Sequence, residues 1–253
     1  EKTSVDVNAV VARSRKVAGQ LSSGINHLMK KNKIDVHNAS ASLGAVKNGL
    51  RTITLDNGKA LTAKDVVLAT GARARALPGI EPNGETIVTY RDAMTPKSMP
   101  KSLIVVGSGA IGIEFASFYA DMGVDVTVLE AVDRILPAED AEISSLALKA
   151  MTKRGLTIKT GVKISAVTPK GATVNVQITD KDGAAALTAD RVILAVGITA
   201  NTEGIGLEHT KIALDRGHVV TDGVMQTGEP CVYAIGDMTG APWLAHKASH
   251  EGI

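Results

Sequence analysis

Three glycines spaced as Gly107-x-Gly109-x-x-Gly112 are the residues of this sequence best suited to holding a phosphate. They follow the apolar run at 103–106, which has strand length. They open the segment 110–122, where Ile113, Phe115, Ala116 and Tyr119 keep helical spacing. In such a strand–turn–helix, Gly107 permits the tight turn, Gly109 lets the backbone approach a pyrophosphate, and Gly112 lets the helix pack closely. Ser108, Ala110 and Ile111 complete the loop, whose free N–H groups and helix dipole face the anion. A second buried strand, 126–129, ends at Glu130, about 20 residues beyond the first glycine, where a carboxylate accepts from the adenosine ribose hydroxyls. A 2′-phosphate there would meet a like charge, with only Ala131 and Val132 following, so the pattern favours NAD over NADP.

A second group of polar residues stands at the ends of apolar runs. Thr70-Gly71 closes the run 65–69, and Gly236-Asp237 closes the run 231–235. His246 and His250 lie four apart at a helix start, the spacing of a metal pair, but no third ligand stands nearby, so a backbone-positioning role or plain helix surface is the better reading and no metal site is expected. Cys231 is the sole cysteine, which rules out an internal disulfide and a thiolate metal site in this chain. Its place beside Val232 and Tyr233 reads as a buried structural thiol.

The elements that must position these groups occupy 253 residues with 44% hydrophobic content, enough for one large or two smaller cores. Net charge is +2 with no basic stripe, so nucleic acid is not a predicted partner. No apolar run reaches the ~18–20 residues a membrane span needs, and no signal peptide is evident, so the chain is expected to be cytoplasmic, or in the mitochondrial matrix of a eukaryote. Lys30, Lys31 and Lys33 form the densest basic cluster and sit where a helix should end.

Taken in order, residues 5–30 read as a long helix and 34–37 as a short strand. Residues 43–66 read as a meander turning at Asn48-Gly49 and Asn57-Gly58, and 65–69 as a buried strand. The prolines at 78, 82, 96 and 100 mark 72–100 as a linker. After Glu130 the order returns: a helix over 140–154, a strand at 156–159, a meander over 162–190 and a buried strand at 191–196. The closing segments LTAKDVVLATG (61–71) and LTADRVILAVG (187–197) share L-T-A, a valine, L-A and the final glycine in register. Repetition of a whole supersecondary unit predicts two related α/β domains. Only the second copy carries a glycine fingerprint, and the first is expected to be incomplete.

The succession ATG (69–71), G-x-G-x-x-G-x-E (107–114), AVG (195–197) and YAIGD (233–237) resembles the two-dinucleotide-binding flavoprotein disulfide reductases. The tail PWLAHKASHEG (242–252) is similar to the branch of that family that serves 2-oxoacid dehydrogenase complexes. The resemblance implies two Rossmann-like domains, each a parallel sheet with helices and a three-stranded antiparallel meander. A partial FAD-binding domain would span 1–85 and be completed by 222–253; an NAD-binding domain would span 95–221. It implies FAD near Ala41, Thr70, Gly71, Ala72, Asp237, Trp243, Leu244, Ala245 and His246. It implies NAD on 107–112 with Glu130, Ile164 on the adenine side, Gly197 on the nicotinamide side, and Glu114 at the flavin–nicotinamide contact. It also implies a homodimer and the lipoyl domains of those complexes as partners.

Three departures stand out. Relatives carry Gly-Arg-x-Pro-Asn where this chain has Gly197-Ile198-Thr199-Ala200-Asn201; the loop 38–41 lacks a usual glycine; and the family's Cys-x4-Cys pair and His-Pro base are not among these residues. The last two features are expected before residue 1 and after residue 253, which would leave no catalytic residue in this chain. Another NAD(P)H-linked reductase of the family, or a dinucleotide-binding module without turnover, are the alternatives.

Overall fold

The structure, a computed structural model, describes residues 5–253. In chain order it contains α1 (Val7–Lys31), β1 (Ala41–Lys47), β2 (Leu50–Leu55), β3 (Ala60–Ala63), β4 (Val66–Leu68), β5 (Ala72–Ala74), β6 (Ile87–Val88), α2 (Tyr90–Ala93), β7 (Ser102–Val106), α3 (Ala110–Asp121) and β8 (Asp125–Leu129). There follow α4 (Ala141–Lys153), β9 (Thr157–Lys159), β10 (Lys163–Lys170), β11 (Thr173–Asp180), β12 (Gly183–Ala189), β13 (Arg191–Leu194), β14 (Ile198–Ala200), β15 (Leu214–Asp215), β16 (His218–Val219), β17 (Val232–Ala234) and α5 (Ala245–Glu251). The chain divides into two compact units: one holds 74–197 with the helical residues as far as His27, the other 28–73 with 198–253.

The first unit is built on a parallel sheet of order β6-β13-β7-β8-β9. Both faces are covered, which is why β7 and β13 read as unbroken apolar runs rather than as alternations. Leu103 and Val105 join Val126, Val128 and Ile193 against Ala116 and Tyr119 of α3. Ile104 and Val106 join Leu129, Val192 and Leu194 against Val174, Val176 and Ile178 of the antiparallel meander β10-β11-β12. Side chains one residue apart thus feed two separate cores. Tyr119 is fully buried and donates its hydroxyl to the Ala93 carbonyl at 2.9 Å, tying α3 to α2. Asp140 starts α4 by accepting from the Glu142 amide at 2.8 Å.

The segment 72–100 is not a plain linker. β6 forms the sheet edge beside β13, pairing Ile87 with Val192 and Val88 with Ile193. The Asn83 side chain accepts from the amides of Glu85, Thr86 and Ile87 and so shapes the turn into it. A two-residue strand in a proline-rich stretch offers no period to detect.

The second unit holds the meander β1-β2-β3, the parallel pair β4-β17 and the hairpin β15-β16. Its core joins Leu43, Leu68, Leu207, Val219, Val232, Ala234 and Met238. Leu207 and Val219 belong to the stretch 198–221, expected in the NAD-binding domain; here they pack with Leu43 and Val232 instead. The compact units are accordingly 74–197 and 28–73 with 198–253, rather than 95–221 and 1–85 with 222–253. Residues 34–37, expected as a strand, join no ladder. Cys231, expected to be buried, is exposed with φ 58°, because the strand begins one residue later at Val232. No residue of α1 is buried, and no helix among the described residues is long and apolar enough to cross a membrane.

Candidate functional site

The loop between β7 and α3 separates glycines that the fold needs from one that it does not. Gly107 has φ 97°, and a Cβ there would overlap the Ala195 carbonyl. A Cβ on Gly112 would overlap the Gly107 carbonyl, so α3 can approach β7 only without one. Gly109 is the N-cap of α3 at φ −65°, ψ −179°, a conformation open to any residue, and no atom lies within 4 Å of where its Cβ would stand. Neither backbone nor packing calls for glycine at 109. The space in front of it, at the N-terminus of α3, is open.

That space is the mouth of a cleft of about 550 Å3 lined by Gly107–Gly109, Glu130, Lys163, Ile164 and Gly197, with Leu77 and Val196 among its apolar walls. The strand order puts Glu130, beyond β8, and Gly197, beyond β13, on opposite flanks of the central β7. A β-bulge between Ile164 and Ala166 re-aims β10 where it meets the cleft. Glu130 is nearly buried and is already engaged. Its Oε2 accepts from the Ser108 amide at 2.8 Å and the Ser108 hydroxyl at 2.6 Å, and its Oε1 accepts from the Val132 amide at 3.0 Å. A carboxylate offers about four lone-pair positions, so Oε1 keeps one open. Glu130 thus fixes the loop from both sides. Arg134 donates to the Pro137 carbonyl at 2.8 Å rather than into the space before Glu130.

The second unit has its own cleft, of about 270 Å3, lined by Ala69, Gly71, Ile235–Asp237, Ala245 and Ala248. Its walls are the ends of the parallel strands β4 and β17 and the small side chains of α5. Asp237 sits in a 3-10 turn held from behind: the Gly236 amide donates to Glu251 Oε2 at 2.7 Å, and Lys247 Nζ donates to the Gly236 carbonyl and the Thr239 hydroxyl. Burial works to raise the Glu251 carboxyl, but its bonds to Lys247 and Gly236 win and hold it below the usual carboxylate range. Thr70 donates its hydroxyl to the Asn201 carbonyl at 2.6 Å, while Asn201 returns Nδ2 to the Thr70 carbonyl at 2.9 Å.

The expected site residues therefore divide. Gly107, Ser108, Gly109, Glu130, Ile164 and Gly197 meet at one cleft, and Gly71, Asp237 and Ala245 at the other. Ala110, Ile111 and Gly112 form the first turn of α3; Glu114 lies on its exposed face. Ala72 begins β5, and Ala41 begins β1 on the surface. Trp243, Leu244 and His246 are exposed ahead of and within α5, with the Trp243 ring 5.9 Å from that of His218. Among the described residues no group of side chains could hold a metal. Asn201, Lys247 and Glu251 were not singled out from sequence as supports of a site, nor Arg73. The last bonds Glu203 and Asn201, and its guanidinium holds the Glu203 carboxyl down to about 2.

A five-stranded parallel sheet with a glycine loop opening its helix is the arrangement of dinucleotide-binding proteins, and comparison makes the family definite. The chain belongs to the pyridine nucleotide-disulphide oxidoreductase family, whose model matches residues 2–252. It is 49% identical over 98% of its length to the dihydrolipoyl dehydrogenase of Rhizobium etli and 46% identical over all of it to that of Zymomonas mobilis, covering 55% and 54% of those proteins. Among solved structures, LpdA of Mycobacterium tuberculosis superposes with a TM-score of 0.90 at 32% identity. It matches 99% of this chain and 55% of that one. RclA of Escherichia coli, a HOCl-induced flavoprotein disulfide reductase, superposes at 0.86 and 25% identity, over 98% of this chain and 56% of its own. The chain spans about half the length of the curated relatives it matches.

Proposed function

We propose that this chain is the dinucleotide-binding portion of an NAD-dependent flavoenzyme that oxidises protein-bound dihydrolipoamide to lipoamide. The observation that carries the proposal is Gly109, open where the fold does not require it, at the mouth of a cleft flanked by Glu130 and Gly197. FAD and NAD, when bound, would supply the redox chemistry, by which a dithiol becomes a disulfide, two electrons and one proton leave as a hydride equivalent, and the second proton is released. This chain's residues bind and orient. The 107–112 loop and the N–H groups of α3 receive the pyrophosphate of NAD, Glu130 the adenosine ribose, Ile164 the adenine side, Gly197 the nicotinamide side, and Glu114 the approach of flavin to nicotinamide. Thr70–Ala72, Asp237 and residues 243–246 receive FAD, with Ala41 beside the adenine; Thr70 serves as an acceptor, since its hydroxyl proton is committed to Asn201. Domain bounds follow the two units, with the flavin half drawn from 28–73 and 198–253. The enzyme would work as a homodimer in the cytoplasm, or in the matrix of a mitochondrion, on lipoyl domains of 2-oxoacid dehydrogenase complexes.

The full-length enzyme should be yellow and should reduce NAD with dihydrolipoamide as electron donor. Turnover with another disulfide substrate and none with dihydrolipoamide would favour the reading suggested by the likeness to RclA. Cofactor choice is a separate prediction. Calorimetry should show NADP bound at least about tenfold more weakly than NAD, because its 2′-phosphate would meet the Glu130 carboxylate. Equal affinities would remove the assigned role of Glu130.

A further inference from the structure

We infer that Ser108 is a positioning residue that sets the cofactor selectivity of the cleft beside the 107–112 loop, by locking the Glu130 carboxylate in place against the 2′-phosphate of NADP; the inference rests on the NAD reading of that cleft. The glycine spacing fixes 107, 109 and 112 and leaves the residue between the first two free. Here that residue is a fully buried serine. Its amide and its hydroxyl both donate to Glu130 Oε2, at 2.8 and 2.6 Å, while its carbonyl accepts from the Leu136 amide at 2.9 Å. The Ser108 backbone is thus held from two sides without help from its side chain. The hydroxyl is an additional bond, and its whole effect falls on Glu130.

Glu130 excludes a 2′-phosphate only while it stays where it is. A carboxylate on a flexible side chain can change rotamer and take its charge out of the way. Charge elsewhere in the cleft does not exclude a phosphate: Lys163 lines it, one residue past Val162, whose amide donates to the Glu130 carbonyl at 2.9 Å. The amides of Ser108 and Val132 hold the carboxylate by one bond on each oxygen. The Ser108 hydroxyl adds the third bond and the shortest, between two residues that are both buried. A hydrogen bond to a charged group gains most where little water competes for it. Since the hydroxyl takes Oε2, the open lone pair stays on Oε1, so the oxygen left for a ribose hydroxyl is fixed as well.

The test is calorimetry of the purified protein with NAD and NADP, for the wild type, Ser108→Ala, Ser108→Cys, Glu130→Gln and the double variant Ser108→Ala with Glu130→Gln. The alanine variant should cut the preference for NAD roughly two- to tenfold, the net range of one hydrogen bond. Cysteine fills nearly the same space with a weak donor, so it should show the same fall and separate the bond from the packing. In the Glu130→Gln background the serine should no longer matter, and the double variant should keep the preference of Glu130→Gln alone. The preference is a ratio of affinities in the folded protein, so an unfolded fraction lowers the binding stoichiometry and leaves the ratio untouched. An unchanged ratio in either serine variant, or an equal fall with and without the Glu130 substitution, would overturn the inference. Equal wild-type affinities for NAD and NADP would instead remove the reading beneath it.

Discussion

Gly109→Val should abolish measurable NAD binding while leaving the protein folded. The side chain would stand where no protein atom lies within 4 Å, so the cost to the fold is limited to the loss of a good N-cap, about 1 kcal/mol. The same side chain would hold a pyrophosphate away from the α3 N–H groups. Losing two charge-assisted hydrogen bonds at about 1.5–3 kcal/mol each weakens binding by roughly a hundredfold or more. Gly112→Ala provides the contrast. Its added methyl would overlap the Gly107 carbonyl, backbone against which no side chain can yield, so α3 must move off β7. That variant should lose NAD binding and thermal stability together. Calorimetry paired with thermal melts separates the two. A valine variant that binds NAD normally, or one that melts as early as the Gly112 variant, would show that the open space at 109 is not a ligand's.

The parts of the architecture that were legible in the sequence are those with a strong local signature. β7 and β13 are continuous apolar runs because both sheet faces are covered, and α3 carries its stripe against one of them. The meanders announce themselves through Asn48-Gly49 and Asn57-Gly58 at one repeat and the glycines 171 and 183 at the other. What was not legible depends on partners distant in sequence. β6 is a strand only because β13 lies beside it, and residues 198–221 pack with Leu43 and Val232 for reasons no window around them contains. The site divides the same way. The glycine spacing and Glu130 could be read directly, but the bonds from Glu130 to Ser108 and Val132 could not, nor could the approach of Arg75 to Gly197, which joins residues more than a hundred positions apart. Cys231 illustrates the limit of apolar context: one residue of offset at the start of β17 moves the thiol from core to surface.

Arg51→Ala should be among the most destabilising single substitutions in the second unit. Arg51 is 5% exposed in β2, donates to the Gly44 carbonyl at 3.0 Å, and forms an ion pair with Glu229. Glu229 Oε2 also accepts from the Lys211 amide at 2.9 Å, so this pair ties the β1-β2 meander to the turn that precedes β17. Removing the guanidinium leaves a largely buried carboxylate with one remaining protein donor, and breaking such a pair costs about 3–5 kcal/mol. The pH dependence follows from the same geometry. The Lys211 amide, with Arg51, holds the Glu229 carboxyl below its ordinary value against the opposing effect of burial. A depressed carboxyl contributes stability that is present above its unfolded pKa and lost as pH falls through the folded one. In the alanine variant the Lys211 amide still opposes burial but Arg51 no longer does, so the carboxyl is less depressed than in the wild type and less stability is lost as it protonates. The stability gap between wild type and variant should therefore be widest near neutrality and should narrow as pH falls below about 4, from the ordinary glutamate pKa down through the depressed wild-type value. The double substitution Arg51→Met with Glu229→Leu should recover most of the loss, because it removes both charges and refills their volume. Urea unfolding of the three proteins at both pH values decides the matter. A gap that stays constant with pH, or a single-variant loss under about 1 kcal/mol, would mean that the pair contributes no more than an exposed one.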